Sequence, residues 1–280
     1  MHKLIALVVL IVGLALIGAI IRGGAAEGHD QFGPWRQTSS QQQSPRGVTD
    51  AAPLRIVALG DSDATGEGDP TRLGWVGRYA RLLRARLGLQ VTVTNLARNG
   101  QTSRQLVADV RSDPTTRRAV KKAQIVLLGT GGADLNAGDA RMEAGKCKAE
   151  ACWAGDLRAF GRNLDTTVAL VRKLRGSNAT VLRAITLPNV VPGAEDVVPP
   201  FITRSIGVYQ TKTLQQLICA AMAKHRGRCV DVLRVFNGPA GTQNAYRKGL
   251  LDKVHCCYPN AKGQQLIAEL VFKTGLKPLR

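Results

Sequence analysis

Apolar residues from position 54 onwards fall into two alternating patterns. Short, nearly unbroken apolar runs predict buried strands, and longer stretches with apolar residues three and four apart predict amphipathic helices. The predicted strands are residues 54–59, 91–94, 124–128, 179–185 and 228–232. The predicted helices are residues 75–87, 103–110, 156–174, 202–224 and 261–272. Because strands alternate with helices, the pattern predicts an α/β fold, a three-layer α/β/α sandwich around a mainly parallel five-stranded sheet.

The residues before the first predicted strand have a different character. After Lys3, residues 4–21 form an unbroken stretch of 18 uncharged, mostly apolar residues. Its length lies between that of a signal-peptide core and that of a membrane-spanning helix. We interpret residues 1–22 as an N-terminal signal anchor or signal peptide, and residues 23–52, rich in Gly, Gln, Ser and Pro, as a flexible linker. Residues 53–280 then form one extracytoplasmic domain, either membrane-anchored or secreted after cleavage.

The cysteines agree with export. There are six of them: Cys147, Cys152, Cys219, Cys229, Cys256 and Cys257. An even number in an exported protein is typical of disulfides. Local pairing predicts Cys147–Cys152 and Cys219–Cys229, and leaves the two adjacent cysteines as a strained vicinal pair or each bonded elsewhere. A zinc site on those two and His255 is an alternative, although adjacent ligands lack the usual spacing.

The chain is strongly basic, with 39 Lys and Arg against 20 Asp and Glu and a net charge of +19. Such a charge bears on partners rather than on fold. The basic residues are scattered, and aromatic residues make up only 4% of the chain. This distribution favours a basic solvated surface, argues against a nucleic-acid partner, and leaves an anionic cell-envelope polymer open. No residue pattern requires an organic cofactor or a metal.

Two short motifs can carry chemistry. Gly60-Asp61-Ser62 directly follows the first predicted strand, where a tight turn can expose a serine hydroxyl and aim backbone N–H groups at a developing oxyanion. The alternative is that Ser62 merely caps the next segment. Near the other end, Asp252 and His255 stand three residues apart in a loop before the last predicted helix. A histidine base needs an acceptor on its second ring nitrogen, and such a loop can supply both groups.

Together these residues resemble the GDSL/SGNH hydrolases, which are serine esterases and lipases with a flavodoxin-like fold. The resemblance covers residues 54–272, and its blocks are Gly60-Asp61-Ser62, residues 95–102 and residues 252–263. It implies that Ser62 attacks an acyl carbonyl, that His255 shuttles the proton and that Asp252 orients His255. It also implies that the backbone amides of Ser62 and Gly100 donate to the oxyanion.

The sequence departs from the family pattern at two places. Where the third family block has an asparagine as oxyanion donor, this chain has Ala133, followed by Asp134 and, three residues after the alanine, Asn136. Losing one such donor costs about 10²–10³ in kcat. Asn136 or water could substitute, and Asp134 could brace the loop. The second departure is the insertion of two cysteines and Tyr258 directly after His255.

The sequence therefore predicts an extracytoplasmic serine hydrolase that cleaves carboxylic esters through an acyl-enzyme on Ser62. Its substrates would be small-molecule, lipid or acylated-sugar esters. An acyltransferase using the same residues, and a catalytically weakened cell-surface binding module, remain alternatives. The segments 137–153 and 188–200 follow the third and fourth predicted strands and should shape specificity.

Overall fold

The computed structural model describes residues 52–254 and 257–279. The predicted anchor or signal segment and nearly all of the predicted linker lie outside the described residues, as do His255 and Cys256. The described strands are β1 (Leu54–Gly60), β2 (Val91–Asn95), β3 (Ile125–Gly129), β4 (Val181–Ile185) and β5 (Arg228–Val230). The described helices are α1 (Ser62–Thr65), α2 (Gly74–Leu87), α3 (Ser103–Ser112), α4 (Pro114–Lys122), α5 (Asn136–Glu143), α6 (Ala151–Arg175), α7 (Arg204–Lys224), α8 (Val232–Asn237) and α9 (Ala261–Lys273), with a 3₁₀ turn at Ala133–Leu135.

The five strands form one parallel sheet in the order β2-β1-β3-β4-β5. The predicted α/β fold and five-stranded sheet are confirmed. Two strand boundaries were wrong. The fourth strand was predicted to begin at residue 179 but begins at Val181, and the last was predicted to run to residue 232 but ends at Val230. The Asp231 side chain accepts a hydrogen bond from the Arg234 backbone N–H at 3.1 Å, which caps α8 and ends the extended backbone.

Helices cover both faces of the sheet because alternate strand residues point to opposite sides. On one face, strand residues such as Val57 and Leu128 pack with α3, α4, α6 and α7. On the other, residues such as Ile56 and Leu127 pack with α2, α8 and α9. Every residue of β3 and β4 is buried, which explains the continuous apolar run of β3. In β4 the run is interrupted by Arg183, which is also buried.

The strand order places a crevice at one edge of the sheet. The chain leaves β1 towards β2 on one side and later continues through β3 on the other. In open parallel sheets, the connections after such neighbouring strands diverge, and a crevice forms beyond their carboxyl ends. Ser62 follows β1 and Ala133 follows β3, so both candidate residues lie at that edge.

Two disulfides crosslink residues that are close in the sequence. Cys147 is bonded to Cys152 and Cys219 to Cys229, as the sequence predicted. Cys257 is also disulfide-bonded. It therefore offers no thiolate to zinc, which argues against the alternative zinc site. Disulfides are typical of proteins outside the cytoplasm. In the part of the chain that the structure describes, no helix is long and apolar enough to cross a membrane.

Candidate active site

Ser62 is mounted on a turn that fits closely against the neighbouring strand. β1 ends at Gly60, and α1 begins at Ser62 itself. Gly60 has a φ of +127°, and a Cβ there would lie 1.9 Å from the Gly129 carbonyl oxygen. The Asp61 N–H donates to that same oxygen at 2.9 Å. A side chain at position 60 would therefore break the contact that holds the turn, so only glycine fits.

Asp61 holds the Gly60-Asp61-Ser62 turn against the turn of residues 131–135, which follows β3. Its buried carboxylate accepts hydrogen bonds from the backbone N–H groups of Asp63 at 3.2 Å, Gly131 at 2.9 Å and Ala133 at 3.3 Å. Burial raises the pKa of Asp61, and these hydrogen bonds oppose that shift. This bracing role was not predicted, because the sequence does not show that the turn after β3 approaches the carboxylate.

The second block brings Gly100 to the same edge. The Asn95 side chain donates to the Ala64 carbonyl at 2.8 Å, and the Arg98 N–H donates to the Gly60 carbonyl at 2.9 Å. These contacts fasten the chain after β2 to the Ser62 turn. Gly100, with a φ of +73°, then lines the same cavity as Ser62.

The turn after β3, which contains Ala133 and Asp134, both braces the site and lines the cavity. The Asp134 carboxylate accepts from the Ser103 N–H at 2.9 Å and from the Ser103 hydroxyl at 2.6 Å. Burial raises the pKa of Asp134, and the hydrogen bonds from Ser103 oppose the shift. The interpretation of Asp134 as a brace thus has a physical basis. Ala133 and Asn136 both line the Ser62 cavity.

The Ser62 cavity has a volume of about 560 Å³. Its lining beyond the motif residues is largely apolar, formed after β3, after β4 and by α7. Apolar members are Leu135, Leu187, Val190, Val191, Val198, Ile202 and Leu214. Several of these belong to the segment 188–200, whose role in specificity stays a prediction. The predicted segment 137–153 contributes only Asp139.

The loop of Asp252 lies between two cavities. The Asp252 N–H donates to the Tyr258 carbonyl at 3.1 Å, and its carboxylate accepts from the Val254 N–H at 2.8 Å. Cys257 and Tyr258 line the Ser62 cavity. Asp252 itself lines a second, more polar cavity of about 620 Å³. Because His255 lies outside the described residues, its role and its pairing with Asp252 stay predictions.

The second cavity, called the Asp252 cavity below, flanks the same turn as the Ser62 cavity. Ser62 and Gly100 line the Ser62 cavity, whereas Thr65 and Asn99 line the Asp252 cavity. The Asp252 cavity also contains charged side chains, including Glu67 and Arg98. Among the described residues, no group of three or more His, Cys, Asp and Glu side chains is arranged to bind a metal.

Comparison with known proteins decides the family. A sequence model described as the GDSL-like lipase/acylhydrolase family matches residues 58–266, which is well over half of the chain. The chain belongs to this family. The family is one of GDSL-type hydrolases, the esterases and lipases, and the matched range includes the Gly60-Asp61-Ser62 and Asp252 blocks. No match was found among curated proteins.

Solved structures support the GDSL fold. A lipase from a goat rumen metagenome superposes with a TM-score of 0.67 at 21% identity, covering 81% of this chain and 100% of the other. An acetylxylan esterase from Geobacillus stearothermophilus gives a TM-score of 0.56 at 17% identity, over 80% and 94% of the two chains. A lipase/acylhydrolase from Enterococcus faecalis gives 0.52 at 19% identity, over 79% and 94%. At such identities the likeness concerns the fold.

Proposed function

We propose that this protein is an extracytoplasmic ester hydrolase that works through an acyl-enzyme on Ser62. The observation that carries the proposal is the shared cavity, which Ser62, Gly100 and the Tyr258 end of the Asp252 loop all line. The proposed nucleophile, the proposed oxyanion donor and the loop of the predicted base therefore line one largely apolar cavity. The disulfides support the extracytoplasmic setting, and residues 4–21 remain its predicted anchor or signal.

The chemistry follows from these placements. In the first step Ser62 Oγ gives its proton to His255 and bonds to the ester carbonyl carbon, while the carbonyl π electrons move onto oxygen. The backbone N–H groups of Ser62 and Gly100 donate to that oxyanion. Collapse of the intermediate expels the alcohol, which takes the proton from His255. Water then repeats the sequence on the acyl-enzyme, with Asp252 holding His255 in the required tautomer.

The Ser62 cavity suits the acyl group of the ester. Its aliphatic walls would bury methylene groups, and each buried methylene contributes about 0.8 kcal/mol. If that energy is realised in the transition state, kcat/KM should rise about fourfold per added methylene until the cavity is filled. The natural substrate class is then an ester with an aliphatic acyl chain.

The first test is hydrolysis of p-nitrophenyl esters with acyl chains of increasing length by the full-length, oxidised protein. We expect release that depends on Ser62 and increases with chain length. The Ser62→Ala variant supplies the baseline, and labelling by a fluorophosphonate probe measures nucleophile reactivity separately. Turnover retained in Ser62→Ala would refute the nucleophile assignment. An unreactive Ser62 in folded protein would instead favour a binding module.

The acyl cavity has its own test. Val198 lies half-buried in the cavity wall, so Val198→Trp should lower kcat/KM for long acyl chains much more than for acetate. Val235→Trp is the matched control, because Val235 is 36% exposed and is not among the residues lining the cavity. Equal effects on short and long esters would place the acyl chain elsewhere.

A second candidate, acyl transfer, is favoured by the Asp252 cavity. Its polar lining, with Glu67, Arg98 and Asn99, suits a hydroxylated acceptor better than an aliphatic chain. Such an acceptor would replace water in the second step. Adding sugar or glycerol acceptors during ester turnover should then yield acylated acceptor at the expense of free acid. If the yield of free acid is unchanged at high acceptor concentration, acyl transfer is excluded and hydrolysis is the reaction that remains.

A further inference from the structure

The edge of the sheet where the strands begin, called the basic edge below, is rich in cations. Helices α2, α4, α6 and α7 each lead directly into the next strand, so their last turns lie at this edge. Each of these four described helices has Lys or Arg in its last turn, and none has Asp or Glu in its first turn. The helix dipole favours anions at the start of a helix as much as cations at its end. The dipole therefore does not account for a surplus at one end only.

Three helices meet around a cavity at the basic edge, called the basic cavity below. Its volume is about 400 Å³, and it is lined by Arg111 from α3, Arg117 and Lys121 from α4, and Leu170, Lys173 and Leu174 from α6. Four of these side chains are cations, and the two leucines are half-buried. Like charges around one cavity repel one another. An anion bound between them would relieve that repulsion.

The carboxylates of the same helices do not neutralise these cations. Among the described residues, the exposed side chains of Arg111, Lys121 and Lys173 have no ion pair or hydrogen bond. Asp113, between α3 and α4, accepts from the Thr116 N–H at 2.6 Å and so caps its own helix. The carboxylates within α3 and α6 are paired with other cations, as Asp109–Arg98, Asp156–Arg141 and Asp165–Lys224. The cations of the basic cavity therefore remain available to an external anion.

Backbone contacts join this cavity to the start of the described domain. Arg175, in the last turn of α6, donates to the Lys121 carbonyl near the end of α4. Just beyond α4, the Gln124 side chain accepts from the Arg55 N–H of β1 at 2.9 Å. The described residues begin at residue 52, directly before β1. The predicted linker therefore joins the domain at the basic edge.

The predicted linker is short enough to keep the domain near a membrane. If residues 4–21 anchor the chain as predicted, a flexible linker over residues 23–52 has a root-mean-square length of about 30 Å. At that range a charged face meets the membrane surface at a high effective concentration. Each Lys or Arg close to an anionic membrane surface strengthens binding about fivefold. A few such cations are then enough to orient a tethered domain.

We propose that the basic edge docks onto a membrane of anionic phospholipids, with a lipid phosphate in the basic cavity. The cations bind the phosphate, and the two leucines contact the glycerol and first methylene groups, which a fully polar polyanion lacks. The Ser62 cavity lies at the opposite edge of the sheet, about 20 Å away along β1. Docking therefore turns that cavity away from the membrane. The proposal goes beyond the function proposed above and does not depend on Ser62 being the nucleophile.

The test is lysine labelling of the full-length, oxidised protein in phosphatidylglycerol vesicles and in phosphatidylcholine vesicles. An acetylating reagent marks accessible lysines, and mass spectrometry locates them. Lys121, Lys122 and Lys173 should be protected in phosphatidylglycerol at low salt, and high salt should abolish the protection by screening. Lys146 and Lys148, exposed before the start of α6, are internal controls and should label equally in both vesicles.

Two matched double variants test the cavity itself. Arg111→Gln with Lys173→Gln removes two of its charges and should lower the ratio of docked to undocked protein about 25-fold. The readout is loss of protection at Lys121. Arg104→Gln with Arg234→Gln removes the same charge from exposed positions at the opposite edge and should leave the protection unchanged. Circular dichroism checks the fold of each variant, and the labelling of the natural protein decides if a variant does not fold.

Several outcomes would overturn the proposal. Equal labelling of all these lysines in both kinds of vesicle would do so, as would protection that survives high salt or persists in the cavity variant. Polyphosphate and inorganic phosphate, added without vesicles, test other anions. If either protects the same lysines and phosphatidylglycerol does not, the face binds a soluble anion and membrane docking is refuted. Because no readout uses turnover, failure of the proposed hydrolysis would leave these results unaffected.

Discussion

The contact between Asp134 and Ser103 gives a stability prediction whose size can be worked from the structure. Asp134→Ala leaves two donors of the fully buried Ser103, its N–H and its hydroxyl, without their acceptor. Each buried donor left unpaired costs about 1–3 kcal/mol. Part of that loss is offset, because the charged Asp134 no longer has to be buried. We expect the free energy of unfolding to fall by about 2–4 kcal/mol at pH 7.

The pH dependence of this loss has a definite sign. The folded-state pKa of Asp134 is raised, so between the unfolded and folded pKa values the folded protein binds more protons. The contribution of Asp134 to stability is therefore greatest at low pH and declines as pH rises through the folded pKa. The difference between the natural protein and Asp134→Ala should grow as pH is lowered from 7 towards 4.

Urea unfolding followed by tryptophan fluorescence measures both effects. Ser103→Ala serves as the matched variant, because it keeps the backbone N–H contact with Asp134. It removes the hydroxyl, which donates to Asp134 and also accepts from the Asn163 side chain at 3.0 Å, and should cost about 1–3 kcal/mol. The free energy of unfolding of the double variant should fall by less than the sum of the two single-variant losses, because both changes remove the same hydrogen bond. A loss below about 0.5 kcal/mol for Asp134→Ala, or strict additivity with Ser103→Ala, would refute the bracing role.

Three further predictions concern the same domain. Replacing Cys147 and Cys152 by serine opens a short loop and should lower the free energy of unfolding by about 2 kcal/mol, measured by urea titration against the oxidised natural protein. Gly60→Ala should prevent stable folding, because its Cβ would meet the β3 backbone; a normal melting temperature would contradict this. Trp75→Phe removes the donor to the Asp63 carbonyl and should lower kcat more than it changes KM, whereas unchanged kcat would show that this contact does not position the turn.

The sheet could be predicted from the sequence because its strands are buried on both faces. All five strands lie where apolar runs predicted them, to within a few residues. Two helices show why other elements were missed. Helix α4 buries only Thr116 and Val120 and so offers too few apolar positions to be recognised, and α8, with six residues, is too short to show a helical period. The Asp113-Pro114 pair at the start of α4 was a usable signal, because Asp caps and Pro begins helices.

The site could be predicted in outline but not in its carboxyl chemistry. Ser62 and Gly100 share a cavity because motif blocks at the ends of parallel strands meet at one edge. The contacts of Asp61 with Gly131 and Ala133 depend on how closely two turns approach, which no local pattern records. The same is true of Asp63, whose environment is made by the Asp61 carboxylate and by burial.

The first two residues of the nucleophile motif have a consequence for judging relatives of this protein. Gly60 is required by the Gly129 carbonyl, and Asp61 by three backbone amides, whether or not any substrate is ever bound. A descendant that had lost its enzymatic activity would still be under selection to keep both, simply to fold. Their presence in a genome sequence therefore diagnoses the architecture, while a substitution at the proposed nucleophile, Ser62, would be the one to distinguish an enzyme from a pseudoenzyme.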